Sequence, residues 1–176
     1  MKKIIKPFIV SFVVLILILL GIAFTMPEAY VVERSVEIQA DQDDTFALVA
    51  DFSKWKEWSP WYDFEPDAIY TLNGEMGMKD SSMTWAGKIV GRGKIQIDRL
   101  EPHHHISMSL FFETPHKTEA KATLTFESRD DITVVTWSNQ GELEYPFGRL
   151  FGPVLKKMIG KDIQQGLDKL KARAEE

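Results

Sequence analysis

The chain has 176 residues, of which 21 are basic and 26 acidic, a formal net charge of −5, and no cysteine. The absent thiols exclude disulfides, cysteine nucleophiles and thiolate metal sites. Three of the basic residues and none of the acidic ones precede Pro27, so the remainder carries 18 basic against 26 acidic residues, a formal charge of −8; that balance argues against nucleic acid as partner, and an anionic leaflet would repel it weakly.

From Phe8 to Met26 only Ser11 and Thr25 carry polar side chains. As a helix this run is about 28 Å long, close to the hydrocarbon thickness of a bilayer. It leaves through Phe24-Thr25-Met26-Pro27 rather than a small-x-small cleavage site, which favours an uncleaved transmembrane signal anchor over 8–26. Lys2, Lys3 and Lys6 before the run, against Arg34 shortly after it, place residues 1–7 in the cytoplasm and the rest outside it. The expected setting is a single-pass inner-membrane protein with a periplasmic or otherwise extracytoplasmic domain. Residues 27–30 form a tether of roughly 13 Å, which holds a single domain over 31–176 against the bilayer surface.

Val31 to Gln39 alternates as a half-buried strand, with Val32, Arg34, Val36 and Ile38 on one side. Asp41 to Asp44 supplies a cap and first-turn acids for a helix through Phe46, Leu48 and Val49 that ends near Asp51. A second short helix is expected over Ser53 to Glu57, stopped by Trp58-Ser59-Pro60-Trp61. Strands are then expected over Ile69 to Leu72, Met83 to Val90, Lys94 to Leu100, Ile106 to Glu113, Thr118 to Glu127 and Ile132 to Gln140, parted by glycine, proline and aspartate turns. Ile106, Met108, Leu110 and Phe112 answer Ala120, Ala122, Leu124 and Phe126, mixing small and large side chains on the face expected to be concave. Phe147 to Ala174 closes the chain as one amphipathic helix of roughly 40 Å. Its stripe is Phe151, Leu155, Ile159, Ile163, Leu167 and Leu170, widened by Val154 and Met158.

These residues carry a resemblance. Val32-Glu33-Arg34-Ser35-Val36 into Ala40-Asp41, Phe46-Ala47-Leu48-Val49, Trp58-Ser59-Pro60-Trp61, Val134-Thr136-Trp137 and Tyr145-Pro146-Phe147-Gly148-Arg149-Leu150 resemble the polyketide cyclase/dehydrase branch of the START-related, helix-grip (SRPBCC) superfamily, in its membrane-anchored bacterial form. The resemblance spans residues 31 to 173. It implies an α+β fold in which a curved antiparallel seven-stranded sheet wraps around the long carboxy-terminal helix, leaving an apolar cavity between them. It also implies binding or transport of lipids, sterols and other hydrophobic molecules, or cyclisation and dehydration of polyketides, a range that leaves the activity open.

An apolar cavity with a few placed polar groups is the expected ligand site. Trp58, Trp61, Trp85, Met108, Phe112, Phe151 and Leu155 are its candidate lining; each is equally well explained as core. Trp137 is the weakest of the aromatic group, because alternation sets it with Val135 and away from Val134 and Thr136. Asp162 falls on the flank of the stripe, either as a polar anchor or acid/base facing the cavity or as half of an ion pair at the edge. Arg149, in the first turn, either pairs with Glu142 or Glu144 or meets an anionic headgroup or carboxylate at the cavity mouth. Gly166, near the stripe centre, leaves room for close approach or for a ligand.

His103, His104, His105 and His116 do not converge on a strand, so no metal is expected; nor is any cofactor. Gly87, Gly91 and Gly93 read as hairpin turns or bulges, and Ser59 has neither a nucleophile-elbow setting nor a base. The leading expectation is therefore a membrane-tethered binding protein for a hydrophobic small molecule or lipid. The alternatives are a cyclase/dehydratase-like enzyme using Asp162 or Glu75, and an envelope protein-interaction domain with a solid interior.

Overall fold

In a computed structural model of the chain, residues 2–114 and 116–176 are described, with side chains from Ile9 onward. Helix α1 spans Lys2–Thr25 and β1 Ala29–Ile38. Helix α2 (Gln42–Ala50), a 3-10 turn (Phe52–Lys54), α3 (Trp55–Trp58) and α4 (Trp61–Phe64) come next. Six more strands complete the sheet: β2 Ile69–Asn73, β3 Ser82–Ala86, β4 Arg92–Glu101, β5 His105–Thr114, β6 Thr118–Arg129 and β7 Ile132–Glu142. Helix α5, Phe147–Ala174, ends the chain.

Local chemistry explains the start of the domain. The Asp41 carboxylate accepts from the Asp43 amide at 2.7 Å and opens α2. Carbonyls near the other end of α2 have no helical partner; the indole N–H of Trp55 reaches Val49 O at 2.8 Å and that of Trp58 reaches Leu48 O at 3.0 Å. Two buried tryptophans thus finish one helix while forming the next. Pro60 then begins α4, a turn that the sequence pattern does not announce.

The strands make one antiparallel seven-stranded curved sheet in the order β1-β7-β6-β5-β4-β3-β2. Large side chains oppose small ones where expected, with Met108 paired to Ala122 and Leu110 to Ala120. Register breaks at Arg92/Gly93 and Ile97/Arg99 bend β4. Strand β3 stops at Ala86, short of the expected Val90, because Glu65 captures the backbone beyond it: its carboxylate accepts from the amides of Lys88, Ile89 and Val90 at 2.8–3.0 Å. Those three donors hold the Glu65 carboxyl below the usual carboxylate range.

Helix α5 lies chiefly along β1 and buries Gly152, Gly160, Ile163, Gly166, Leu167 and Leu170. Each of those large aliphatic side chains contributes about 1.5–3 kcal/mol on burial. Its end is tied to β1, with Lys171 Nζ donating to Glu37 O and the Gln39 amide donating to the Glu175 carboxylate, both at 2.8 Å.

At the other terminus, α1 occupies the place of the expected transmembrane anchor, and its large apolar side chains between Ile9 and Phe24 are mostly exposed. Among the described residues, however, no helix is long and apolar enough to cross a membrane. The side chains of Phe8 and of the lysines in the amino-terminal segment lie outside the described residues. The tether is shorter than the expected 27–30, since β1 already begins at Ala29.

Candidate functional site

The apolar stripe of α5 divides in two. At 100° per residue, Ile163, Leu167 and Leu170 share a face with Gly152, and this face meets the sheet. Phe151, Val154 and Met158, at 64%, 56% and 60% exposure, look away from it. Leu155, Ile159 and Asp162 fall between the two rows and are half-buried. In α4, β3 and β5, Trp61, Trp85, Leu110 and Phe112 are also half-buried. Leu155, Ile159, Trp61, Trp85 and Leu110 all pack against the core without being closed over.

The glycines explain how the helix is seated. A Cβ at Gly166 would lie 3.1 Å from the Trp137 indole and 3.4 Å from Pro60, so glycine lets α5 descend between them without displacing either. Trp137 is only 2% exposed and Val135 is fully buried, so β7 turns this face inward. Trp137 therefore shares the inward face with Val135, as strand alternation expects, with the Trp58 and Trp61 rings 6.1 and 5.8 Å away. Gly93 performs a similar service on the sheet, where it faces Trp85 and leaves space for the indole. Trp85 in turn meets Phe112 edge-on at 5.6 Å and donates its N–H to Val90 O at 3.2 Å.

Of the remaining expected lining, Trp58 and Met108 are fully buried in the core. Burial thus falls from Trp58, Trp137 and Met108, through the half-buried Trp61, Trp85, Phe112 and Leu155, to the exposed Phe151. An open recess of about 300 Å³ lies at the β5–β6 end, where Phe111, Phe112, Glu113, Lys117, Thr118 and Glu119 line it. It shares Phe112 alone with the expected site.

Polar groups are few. Burial raises the Asp162 carboxyl above the ordinary aspartate range, and neighbouring Lys161 opposes the shift only in part. Trp137 Nε1, Ser59 Oγ and Arg149 Nε are buried without a hydrogen-bond partner among the described residues. Two of these belong to the surroundings of Gly166, namely Trp137 and Ser59, the neighbour of Pro60. A ligand acceptor atom would satisfy such a donor. Sequence reasoning ranked Trp137 last among the aromatic candidates and set Ser59 aside for lack of a nucleophile setting; that both are buried without a partner is visible only in the structure.

Arg149 does not pair with Glu142 or Glu144 through its side chain as expected. Its guanidinium meets Glu28 at 2.7 Å and lies over the Tyr145 ring, 5.5 Å from the centroid. Glu75 is exposed in the turn after β2. The histidine turn is likewise peripheral: His103, at φ +69°, contacts Asp43 and the Phe46 ring. Among the described residues no group of three or more His, Asp or Glu is placed to hold a metal ion.

A family model described as "Polyketide cyclase / dehydrase and lipid transport" matches residues 30–175. No curated protein matches the chain. Solved structures share the fold. A solution structure from Thermobifida fusca is 21% identical with a TM-score of 0.60, covering 82% of this chain and 92% of its own. The hypothetical protein jhp0584 of Helicobacter pylori is 12% identical with a TM-score of 0.64, covering 82% and 88%. CalU16 of Micromonospora echinospora is 15% identical with a TM-score of 0.54, covering 81% and 82%.

Proposed function

The chain belongs to the polyketide cyclase/dehydrase and lipid transport family, and we propose that it binds a hydrophobic small molecule or lipid between α5 and the sheet while α1 tethers it to a membrane. The observation that carries this reading is the half-buried apolar set Leu155, Ile159, Trp61, Trp85 and Leu110, packed on the core yet left uncovered. Water against such surface is unfavourable by about 25 cal/mol per Å², and an apolar guest removes that cost. The tether rests on the run of exposed apolar side chains along α1 and on the three residues, Met26, Pro27 and Glu28, that join it to β1. The lysines before the run favour a cytoplasmic amino terminus and an extracytoplasmic domain.

To test the site, the full-length chain is purified from membranes, extracted with organic solvent and examined by mass spectrometry, then offered a panel of lipids and aromatic polyketides. A stoichiometric apolar ligand is expected. A protein that arrives empty and takes up no member of the panel overturns the reading. The tether is tested separately, since a chain released from membranes by alkaline carbonate is not anchored through α1.

A second reading, a cyclase- or dehydratase-type enzyme, is favoured by Asp162. This half-buried carboxyl has a raised pKa and makes no hydrogen bond or ion pair among the described residues. Such a group keeps its proton to higher pH than an ordinary aspartate, as a general acid requires. Asp162→Asn then abolishes turnover and keeps ligand binding; loss of both together, or of neither, defeats the enzymatic reading.

A further inference from the structure

The first three turns of α5 carry an exposed apolar surface of their own, as α1 does. Phe147, Phe151, Val154 and Met158 succeed one another at steps of four, three and four, forming a single exposed row whose first member is 72% exposed. The two helices α1 and α5 touch. The Tyr145 hydroxyl donates to Leu20 O at 3.2 Å, and Ala23 in the last turn of α1 is completely buried. Leu20 lies about 7–8 Å along the helix axis from Thr25. Tyr145 is therefore level with the interior of the apolar helix rather than with its end. The Arg149–Glu28 pair fixes the other side of the same corner.

Charge supplies an independent argument. From Tyr145 to Lys161 the chain carries Arg149, Lys156, Lys157 and Lys161 and no acidic residue. Lys157 and Lys161 run along one margin of the apolar row. A basic, apolar-faced half-helix in a domain of net negative charge has the composition of a segment lying in a headgroup layer, and tyrosine is a residue enriched at that depth.

The geometry points to the row Phe147, Phe151, Val154 and Met158, with Lys157 and Lys161 beside it, as a face that lies on an anionic phospholipid bilayer and sets the half-buried Leu155, one turn on from Phe151, beside the lipid. This inference rests on the tethered ligand-binding reading and adds the surface through which an apolar guest passes. The net negative domain thus meets the membrane through a basic helical face, and the weak repulsion expected from overall charge does not apply there.

The chain has no cysteine, so one nitroxide can be placed cleanly. Full-length protein with Val154→Cys, or with Met78→Cys as a remote exposed control, is labelled and reconstituted in nanodiscs of phosphatidylcholine with or without phosphatidylglycerol. In the anionic discs, collision of the 154 label with a water-soluble nickel chelate is expected to be several-fold lower than at 78, and collision with dissolved oxygen higher. Lys157→Glu combined with Lys161→Glu is expected to return the label to water. A 154 label as accessible to the chelate as the control, in both lipids, overturns the proposal; so does immersion indifferent to lipid charge and to lysine reversal. Lipid uptake measured on the same samples separates the two readings. Immersion without uptake removes the ligand-binding reading alone, and uptake with an aqueous label removes the membrane face alone.

Discussion

Arg149 and Glu28 form a 2.7 Å ion pair that joins the first turn of α5 to the residue just before β1. The two ends are unequal, the arginine side chain being 15% exposed and the glutamate 79%. A double-mutant cycle on denaturant unfolding is expected to give a coupling of about 0.2–1 kcal/mol, as for exposed pairs. Arg149→Ala costs more than Glu28→Gln, because its stem and the stacking over Tyr145 are lost as well. Equal costs for the two single variants would contradict this assignment.

The seat of α5 on Trp137 gives a second prediction. Gly166→Val adds branches where even a Cβ meets the indole at 3.1 Å, and it lowers stability by about 1–3 kcal/mol through overpacking. Gly166→Ala loses less, since its gain in helix propensity of about 1 kcal/mol offsets part of the strain. Thermal unfolding and the near-ultraviolet circular dichroism of the tryptophans report both.

Asp162 makes acid pH favourable to folding at one position. Burial raises its folded-state pKa, so the native state binds the proton more tightly than the unfolded state does. Its penalty is fully present above the folded pKa and disappears as pH falls below the ordinary aspartate value. Asp162→Asn is therefore expected to be more stable than the parent at neutral pH, with the difference shrinking in acid. Urea midpoints across that range check it; a constant difference would show that the carboxyl is not desolvated.

Tyr62 behaves in the opposite pH range. Its ring stacks on Tyr70 at 3.9 Å and its hydroxyl reaches Met83 Sδ at 3.3 Å. Burial first, then the neighbouring Tyr70, push its pKa up to about 12. Unfolded tyrosine ionises near 10, so stability is lost as pH rises from about 10 through 12. Tyr62→Phe should flatten that alkaline loss, as read by unfolding at a series of alkaline pH values.

The alternation of β1, the Asp41 cap and the β6–β7 hairpin were legible in the sequence because each depends on residues close together in the chain. The division of α5 was not. Hydrophobic periodicity scores glycine as no signal, yet Gly152, Gly160 and Gly166 mark the face that approaches the rest of the domain, against Leu143, Arg34 and Trp137 respectively. The large side chains Phe151, Val154 and Met158, which dominated the pattern, are the ones left outside. The early end of β3 was equally hidden, since the Glu65 carboxylate that ends it comes from more than twenty residues away in sequence. The Arg149 partner came from the far end of the chain, where spacing gives no clue.

The sheet order has a consequence for biogenesis. Strand β1, first to be synthesised, takes its whole register from β7, from Ala29 opposite Glu142 to Ile38 opposite Thr133. Loop closure over so many residues is slow, and β1 has no partner while β7 is still inside the ribosome. A nascent chain halted anywhere before residue 132 therefore leaves β1 unpaired and α5 unmade, so the domain matures only after β7 and α5 have left the ribosome.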